Sequence, residues 1–142
     1  MQESPKKINI SFFVPGKAVA QSRPRFARRG NFVATYDATP AKDYKSWVKS
    51  CALDYMQEFR QGLIHKDTPL IMSLLVSIVR PASKKKAVFP TTKPDADNFA
   101  KGVMDALESI MYAADQQIVK LIVEKEYSDC PGVTVKITEA TC

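Results

Sequence analysis

Residues 93–101 read KPDADNFAK, and this short stretch gathers the residue types best suited to chemistry in the whole chain. Asp95 and Asp97 stand one residue apart behind Pro94, Asn98 follows, and Lys101 comes four residues after Asp97. Proline disfavours helical geometry in the residue before it, so Lys93 is expected in extended chain. Asp95 then arrives extended with Asp97 as the N-cap of a helix, and residues two apart in extended chain point to the same side. Two carboxylates that close repel, and one tends to keep its proton unless a cation stands between them. Hard oxygen donors of this kind suit Mg2+ or Mn2+. The same residues also suit a plain helix start, with Asp97 capping and Asp95 solvated beside the positive end of the helix dipole.

Two other carboxylate motifs fail on spacing. An EF-hand loop beginning at Asp95 needs glycine at 100 and glutamate at 106, and both positions are alanine. A haloacid-dehalogenase-type aspartyl nucleophile would follow a buried apolar strand, where this chain has TTKP. Lys101 lies one helical turn past Asp97, where an ammonium can offset charge building on a phosphate. Its plainer role is a surface pair with Asp97 or Asp105, worth about 0.3–0.5 kcal/mol. Asp115 adds a third carboxylate in the turn before QQIVKLIV, and a strand entering beside the helix could carry it back to the helix N-terminus. Three aspartates, a lysine and a basic arginine segment together suggest metal-dependent phosphodiester hydrolysis.

The charge distribution points the same way. The net charge is +6, and the cations cluster: Arg23, Arg25, Arg28 and Arg29 fall within RPRFARR, and Lys84, Lys85 and Lys86 form a second run. Such clusters either attract a polyanion, nucleic acid first, or form a solvated face. Arginine favours the former, because its planar fork matches phosphate. Phe26 and Phe89 sit inside these basic segments. Each is expected to anchor its segment to the core, the alternative being a wedge against unstacked bases.

The elements that must position these residues follow from periodicity. The chain has 142 residues, 45% hydrophobic and 25% charged, which suits one globular domain spanning residues 1–142. Its longest apolar runs are strand-length, and no basic-then-apolar leader opens it, so a cytoplasmic location is expected. Three cysteines, Cys51, Cys130 and Cys142, include no CxxC, which argues against a disulfide framework or structural zinc. Residues 7–14 alternate as a half-buried strand ended by Pro15-Gly16; 17–30 reads as an exposed basic loop and 31–36 as a short strand. Thr39-Pro40 opens a helix over 40–60 whose apolar stripe includes Tyr44, Val48, Ala52 and Tyr55, with Gly62 closing it. A strand at 70–80 leads through a polar loop (81–94) to a second helix from about Asp97 to Ser109. Strands at 117–126 and 132–138 complete an order β(β)αβαββ. The fold class is α/β (α+β), one domain with a mixed sheet and two main helices. His65, alone in a polar turn, receives no catalytic role.

Taken together, Asp95-Ala96-Asp97-Asn98, Lys101, Asp105-Ala106-Leu107 and Asp115-Gln116-Gln117-Ile118-Val119 resemble the pattern DxDNxxK…DAL…DDxQ(V/I) of the RusA family of Holliday-junction resolvases. VPGKAVAQSRPRF (14–26) is similar to the PGKP…KxRPR segment of its phage and prophage members. The resemblance implies a Mg2+-dependent endonuclease (Mn2+ possible) in which Asp95, Asp97 and Asp115 are the metal ligands and Lys101 assists at the phosphate. Asp105 is expected on the helix surface, outside direct ligation. The implied DNA contacts are Arg23, Arg25, Arg28, Arg29, Lys84, Lys85, Lys86, Lys93 and Asn98. The substrate is expected to be a four-way junction, whose two-fold symmetry matches a homodimer. One departure stands out: Ala114-Asp115 replaces the usual pair of adjacent aspartates, and the loop before it differs by about a residue from the family pattern. A branched-DNA-binding protein of prophage origin that has lost turnover is the alternative.

Overall fold

The computed structural model describes residues 7–21, 25–29, 32–36 and 39–141. Strand β1 (Asn9–Pro15) turns the alternation of its sequence into one buried face, with Ile10 and Val14 buried and Phe12 half-buried. It pairs antiparallel with β6 (Gly132–Glu139), setting Ile10 opposite Ile137 and Val14 opposite Val133. On the other side of β6 lies β4 (Leu70–Ile78), also antiparallel, and beyond it β5 (Ile118–Tyr127), parallel to β4. Leu70, Met72, Leu74 and Val76 of β4 have no exposed surface. Two serines stand among the alternate positions, and buried Ser77 donates to Glu126 at 2.9 Å.

Parallel neighbours need a crossover, since a short turn cannot return the chain to the same end. Helix α2 (Ala96–Leu107) supplies it, burying Phe99, Val103, Ala106 and Leu107 over the sheet. Helix α1 (Thr39–Phe59) lies beside α2 on the same face, inserting Tyr44, Val48 and Ala52 into the shared core. Its far flank meets β1, where the Trp47 indole donates to the Pro15 carbonyl at 2.8 Å and Tyr55 packs against Phe12. The result is a single domain of α+β class, a mixed four-stranded sheet with its two helices on one face.

Three local expectations need correcting. Residues 25–29 are not loop: β2 (Arg25–Arg29) pairs antiparallel with β3 (Phe32–Tyr36) as a separate two-stranded ribbon. The reason lies in the backbone of β3, whose amides and carbonyls find ladder partners there. Helix α1 does not wait for Gly62. Its C-terminal cap forms at Arg60, in the left-handed region at φ 52°, where the Gln61 amide closes back on the Met56 carbonyl at 2.9 Å. Helix α2 starts two residues early, with Asp95 rather than Asp97 at the N-cap, because the Asp95 carbonyl already accepts from the amides of Asn98 and Phe99.

This topology decides what shares an end of the molecule. Strands β1, β4 and β5 run the same way, so the segment from Gly16 to α1 and the loop from Val79 to Asp95 both leave the sheet at its carboxyl end. Open sheets with such crossovers take ligands at that end.

Candidate active site

Asp95 is extended (φ −71°, ψ 150°) and Asp97 lies in the first turn of α2. Both are exposed. The Asp95 carboxylate makes no capping hydrogen bond, and among the described residues neither carboxylate has a hydrogen-bond or ion-pair partner. Two uncommitted carboxylates at a helix start are a donor set that suits Mg2+, which is held by one or two carboxylates and completed by water and phosphate oxygens. Among the described residues no three His, Cys, Asp or Glu side chains gather closely enough to hold a metal ion.

The segment before Asp95 is tied down from the sheet. The Lys125 ammonium on β5 donates to the carbonyls of Thr92 at 3.0 Å and Pro94 at 3.1 Å. A cleft of about 740 Å³ opens beside it, bordered by Lys17, Lys93, Pro94, Phe99 and Tyr127. Arg80 stacks over the Tyr127 ring at 4.9 Å and donates to the carbonyls of Lys85 and Ala87, which shapes the lysine loop. Lys84, Lys85 and Lys86 are all exposed, as is Lys93. The organising roles of Lys125 and Arg80 had no signature in the sequence, because both depend on what the fold brings opposite them.

Lys101 pairs with Asp105, at 3.7 Å, and not with Asp97. With both groups partly exposed the pair contributes little, so the ammonium is available to a phosphate. Asn98 is half-buried, and its carbonyl accepts from the Gln21 amide at 3.1 Å, joining the 17–21 segment to the start of α2. Gly102 faces the same segment: a methyl there would rest 3.6–3.7 Å from Gln21 and the Val19 carbonyl, an ordinary van der Waals contact.

Asp115 stands elsewhere. It opens a 3-10 turn (Asp115–Gln117) in which its carboxylate accepts from the Tyr112 hydroxyl at 2.8 Å. Its own amide donates to Glu108 Oε2 at 2.7 Å. The same Tyr112 hydroxyl is 3.2 Å from the Met104 carbonyl, which places Asp115 against the last turns of α2. Met104 is seven residues past Asp97, about 10 Å along the helix axis. The expected return to the helix N-terminus therefore does not occur within one chain. Because β5 is parallel to β4, α2 must cross the sheet before β5 begins, so the chain enters β5 at the end opposite Asp95. Burial first, then the nearby negative charges of Glu108 and Asp105, hold the Asp115 carboxyl above its usual range, against the opposing Tyr112 hydrogen bond. Burial first, then the hydrogen bond to Asp115 and the negative charges of Asp115, Glu108 and Asp105, push the Tyr112 phenol well up.

Gln117 proves to be the residue that builds this turn. It is 5% exposed; its Oε1 accepts from the Ala114 amide, and its Nε2 donates to the carbonyls of His65 and Thr68, each at 2.9 Å. In the sequence it stands only as part of the Asp115-Gln116-Gln117-Ile118-Val119 motif, and that spacing after Asp115 was the available signal.

Of the remaining predicted contacts, Arg25, Arg28 and Arg29 lie on β2, opposite Tyr36, Val33 and Phe32, and Phe26 lies with them. Arg23 lies outside the described residues. Phe89 is 65% exposed beside Val88, so it does not anchor its loop to the core. The loop is held by Arg80 and by buried Pro90 instead. His65 is exposed and accepts from the Asp67 amide, which leaves it a turn residue.

Comparison with known proteins bears on this geometry. Residues 15–138 match the family described as endodeoxyribonuclease RusA, which is most of the chain. A similar protein is the uncharacterized protein YqaN of Bacillus subtilis (strain 168), 37% identical over 138 residues, covering 93% of this chain and 97% of that one.

Proposed function

The chain belongs to the RusA endodeoxyribonuclease family, and from that footing we propose that it is a Mg2+-dependent, structure-selective nuclease that resolves four-way DNA junctions by paired, symmetric cuts. The observation that carries this reading is the pair of uncommitted carboxylates, Asp95 and Asp97, at the end of the sheet where the two basic segments also emerge. Asp95 and Asp97 would hold the ion, which when bound supplies an activated water and charge stabilisation at the phosphate. Lys101, one turn along α2, offsets charge on the scissile phosphate once it leaves Asp105. The arginines of β2 and the Lys84–Lys86 loop hold flanking phosphates, contacts that position the backbone without reading sequence.

A homodimer fits the reading for two reasons. A four-way junction is two-fold symmetric and needs two cuts, which a C2 dimer supplies. Asp115, remote from Asp95 and Asp97 within its own chain, can join them as a ligand only from a second copy. Ala114 favours one competing reading, a branched-DNA binder without turnover, since it heads the turn that carries Asp115.

The test is cleavage of a labelled four-way junction beside its linear duplex, with and without Mg2+. Paired symmetric nicks in the junction alone, dependent on the metal, are expected. Tight junction binding with no cut under any divalent ion would establish the binder instead.

A further inference from the structure

The cleft beside Asp95 has a lining that hydrolysis at a metal does not use. Three prolines (Pro81, Pro90, Pro131), the Phe99 ring and Tyr127 make its walls apolar, and Arg80 fixes the Tyr127 ring from 4.9 Å. Its volume of about 740 Å³ is that of a small-molecule site, for which about 300–1,000 Å³ is usual. One wall is the segment 17–20, where half-buried Ala18, Val19 and Ala20 have no backbone hydrogen bond among the described residues. Backbone groups drawn out of water ordinarily find partners. This wall therefore offers an unused row of donors and acceptors. The charged residues of the lining are Lys17 and Lys93, both exposed and neither paired among the described residues, and no carboxylate lines the cleft.

Apolar walls, a polar backbone edge and two cations at the rim select a ligand with flat apolar faces, a hydrogen-bonding edge and an attached anion. We propose that the cleft takes one unpaired nucleobase of a bound DNA strand, its edge on the 17–20 backbone and its phosphate between Lys17 and Lys93. Pro94 of the lining directly precedes Asp95, so the nucleotide held here neighbours the one that is cut, a placement that rests on the nuclease reading. Aromatic and apolar walls hold a base by stacking on its faces. Extruding a base costs least where it is mismatched or already unpaired, so such a site favours branch points over duplex. Phe89, 65% exposed and next to Pro90, stands at the rim. Apolar side chains so placed wedge between base steps and fill the gap that a departing base leaves.

The experiment measures binding of the full chain to four-way junctions without divalent metal, so that nothing is cut. Each nucleotide next to the exchange point is in turn mismatched or replaced by an abasic residue. Both changes remove the base pair, and only the mismatch offers a base. At one position in a strand the mismatched junction is expected to bind about tenfold more tightly than its abasic counterpart, the scale of one base–aromatic stack. Elsewhere the two should bind equally. Val79→Glu, at a position 53% exposed on the cleft, should bring that ratio to one. Leu53→Glu makes the same charge change at a position 52% exposed on α1, thirteen residues past Pro40, and should leave the ratio intact.

A ratio of one at every position in the wild type, or a ratio that Val79→Glu leaves unchanged, would overturn the proposal. Free deoxyadenosine monophosphate carries the same chemistry from another source. If it binds the wild type and not Val79→Glu while the junction ratio stays at one, the occupant is a free nucleotide and the strand's base is excluded. Cleavage in Mg2+ is followed in parallel. A protein that prefers the mismatch but never cuts keeps the base site and sinks the nuclease reading; metal-dependent cutting without the preference does the reverse.

Discussion

An aspartate at a helix N-cap ordinarily accepts a hydrogen bond from the amides of the first turn, and Asp95 does not. Its carboxylate, like that of Asp97, stays at the surface without a protein partner among the described residues. That departs from simple capping and is what a ligand pair awaiting a cation requires. Asp97→Asn is accordingly expected to lower junction cleavage by at least about 100-fold, a loss that even outer-shell changes at metal sites can produce. Junction binding should be equal or tighter, since a negative charge near phosphate is removed. Binding that fell together with activity would remove Asp97 from the metal site. A helix start in this stretch was legible in the sequence because it depends only on neighbours within four residues. The distribution of capping between Asp95 and Asp97 was not, since one backbone carbonyl at Asp95 decides it.

Among the elements, β6 shows how closely the sheet is fitted at its turn. Gly132 begins the strand opposite Pro15 and Ser77, and a side chain there would strike the Phe13 ring and come within 2.6 Å of the Val14 carbonyl oxygen. The ring, 44% exposed, can swing aside, but the carbonyl is fixed in the β1–β6 ladder. Gly132→Ala should therefore cost about 1–3 kcal/mol, as other overpacking changes do. Adding Phe13→Ala should recover only part of it in a thermal melt; full recovery would mean that the ring was the sole obstacle. The strands and helices of the main sheet were readable because periods of 2 and 3.6 report burial on one face. β2 was not: RFARR carries no alternation of apolar and polar residues, and only pairing with β3 makes it a strand.

For the whole molecule, the relevant quantities are charge and symmetry. If the β2 arginines meet phosphates, replacing Arg25 and Arg28 by alanine should weaken junction binding for every sequence alike. The slope of log affinity against log salt should flatten by about 0.9 for each phosphate that is no longer neutralised. An unchanged slope would take β2 out of the interface. If two copies share each site, a complementation is expected. Asp97→Asn and Asp115→Asn chains, each inactive alone, should regain cleavage when mixed and allowed to exchange subunits, because one site of the mixed dimer keeps both aspartates. No recovery from a verified mixed dimer would mean that each chain must supply its own Asp115.

From its order of residues alone, the chain determines which side chains lie close along one element: the DxDN start of a helix, the lysine one turn on, the basic clusters, and a strand and helix order that admits a mixed sheet. These are short-range properties, set by spacing along one element. Tertiary structure decided the rest. Parallel pairing of β4 with β5 forces α2 across the sheet and leaves Asp115 against its far turns, beside Tyr112 and Glu108. Lys125 reaches the Pro94 carbonyl only because β5 runs past it. Among the described residues the outer edge of β5 is unpaired because that strand comes last in its sheet. Each of these depends on which strands become neighbours, and that choice is made by burial across the whole core, which no local window of sequence contains.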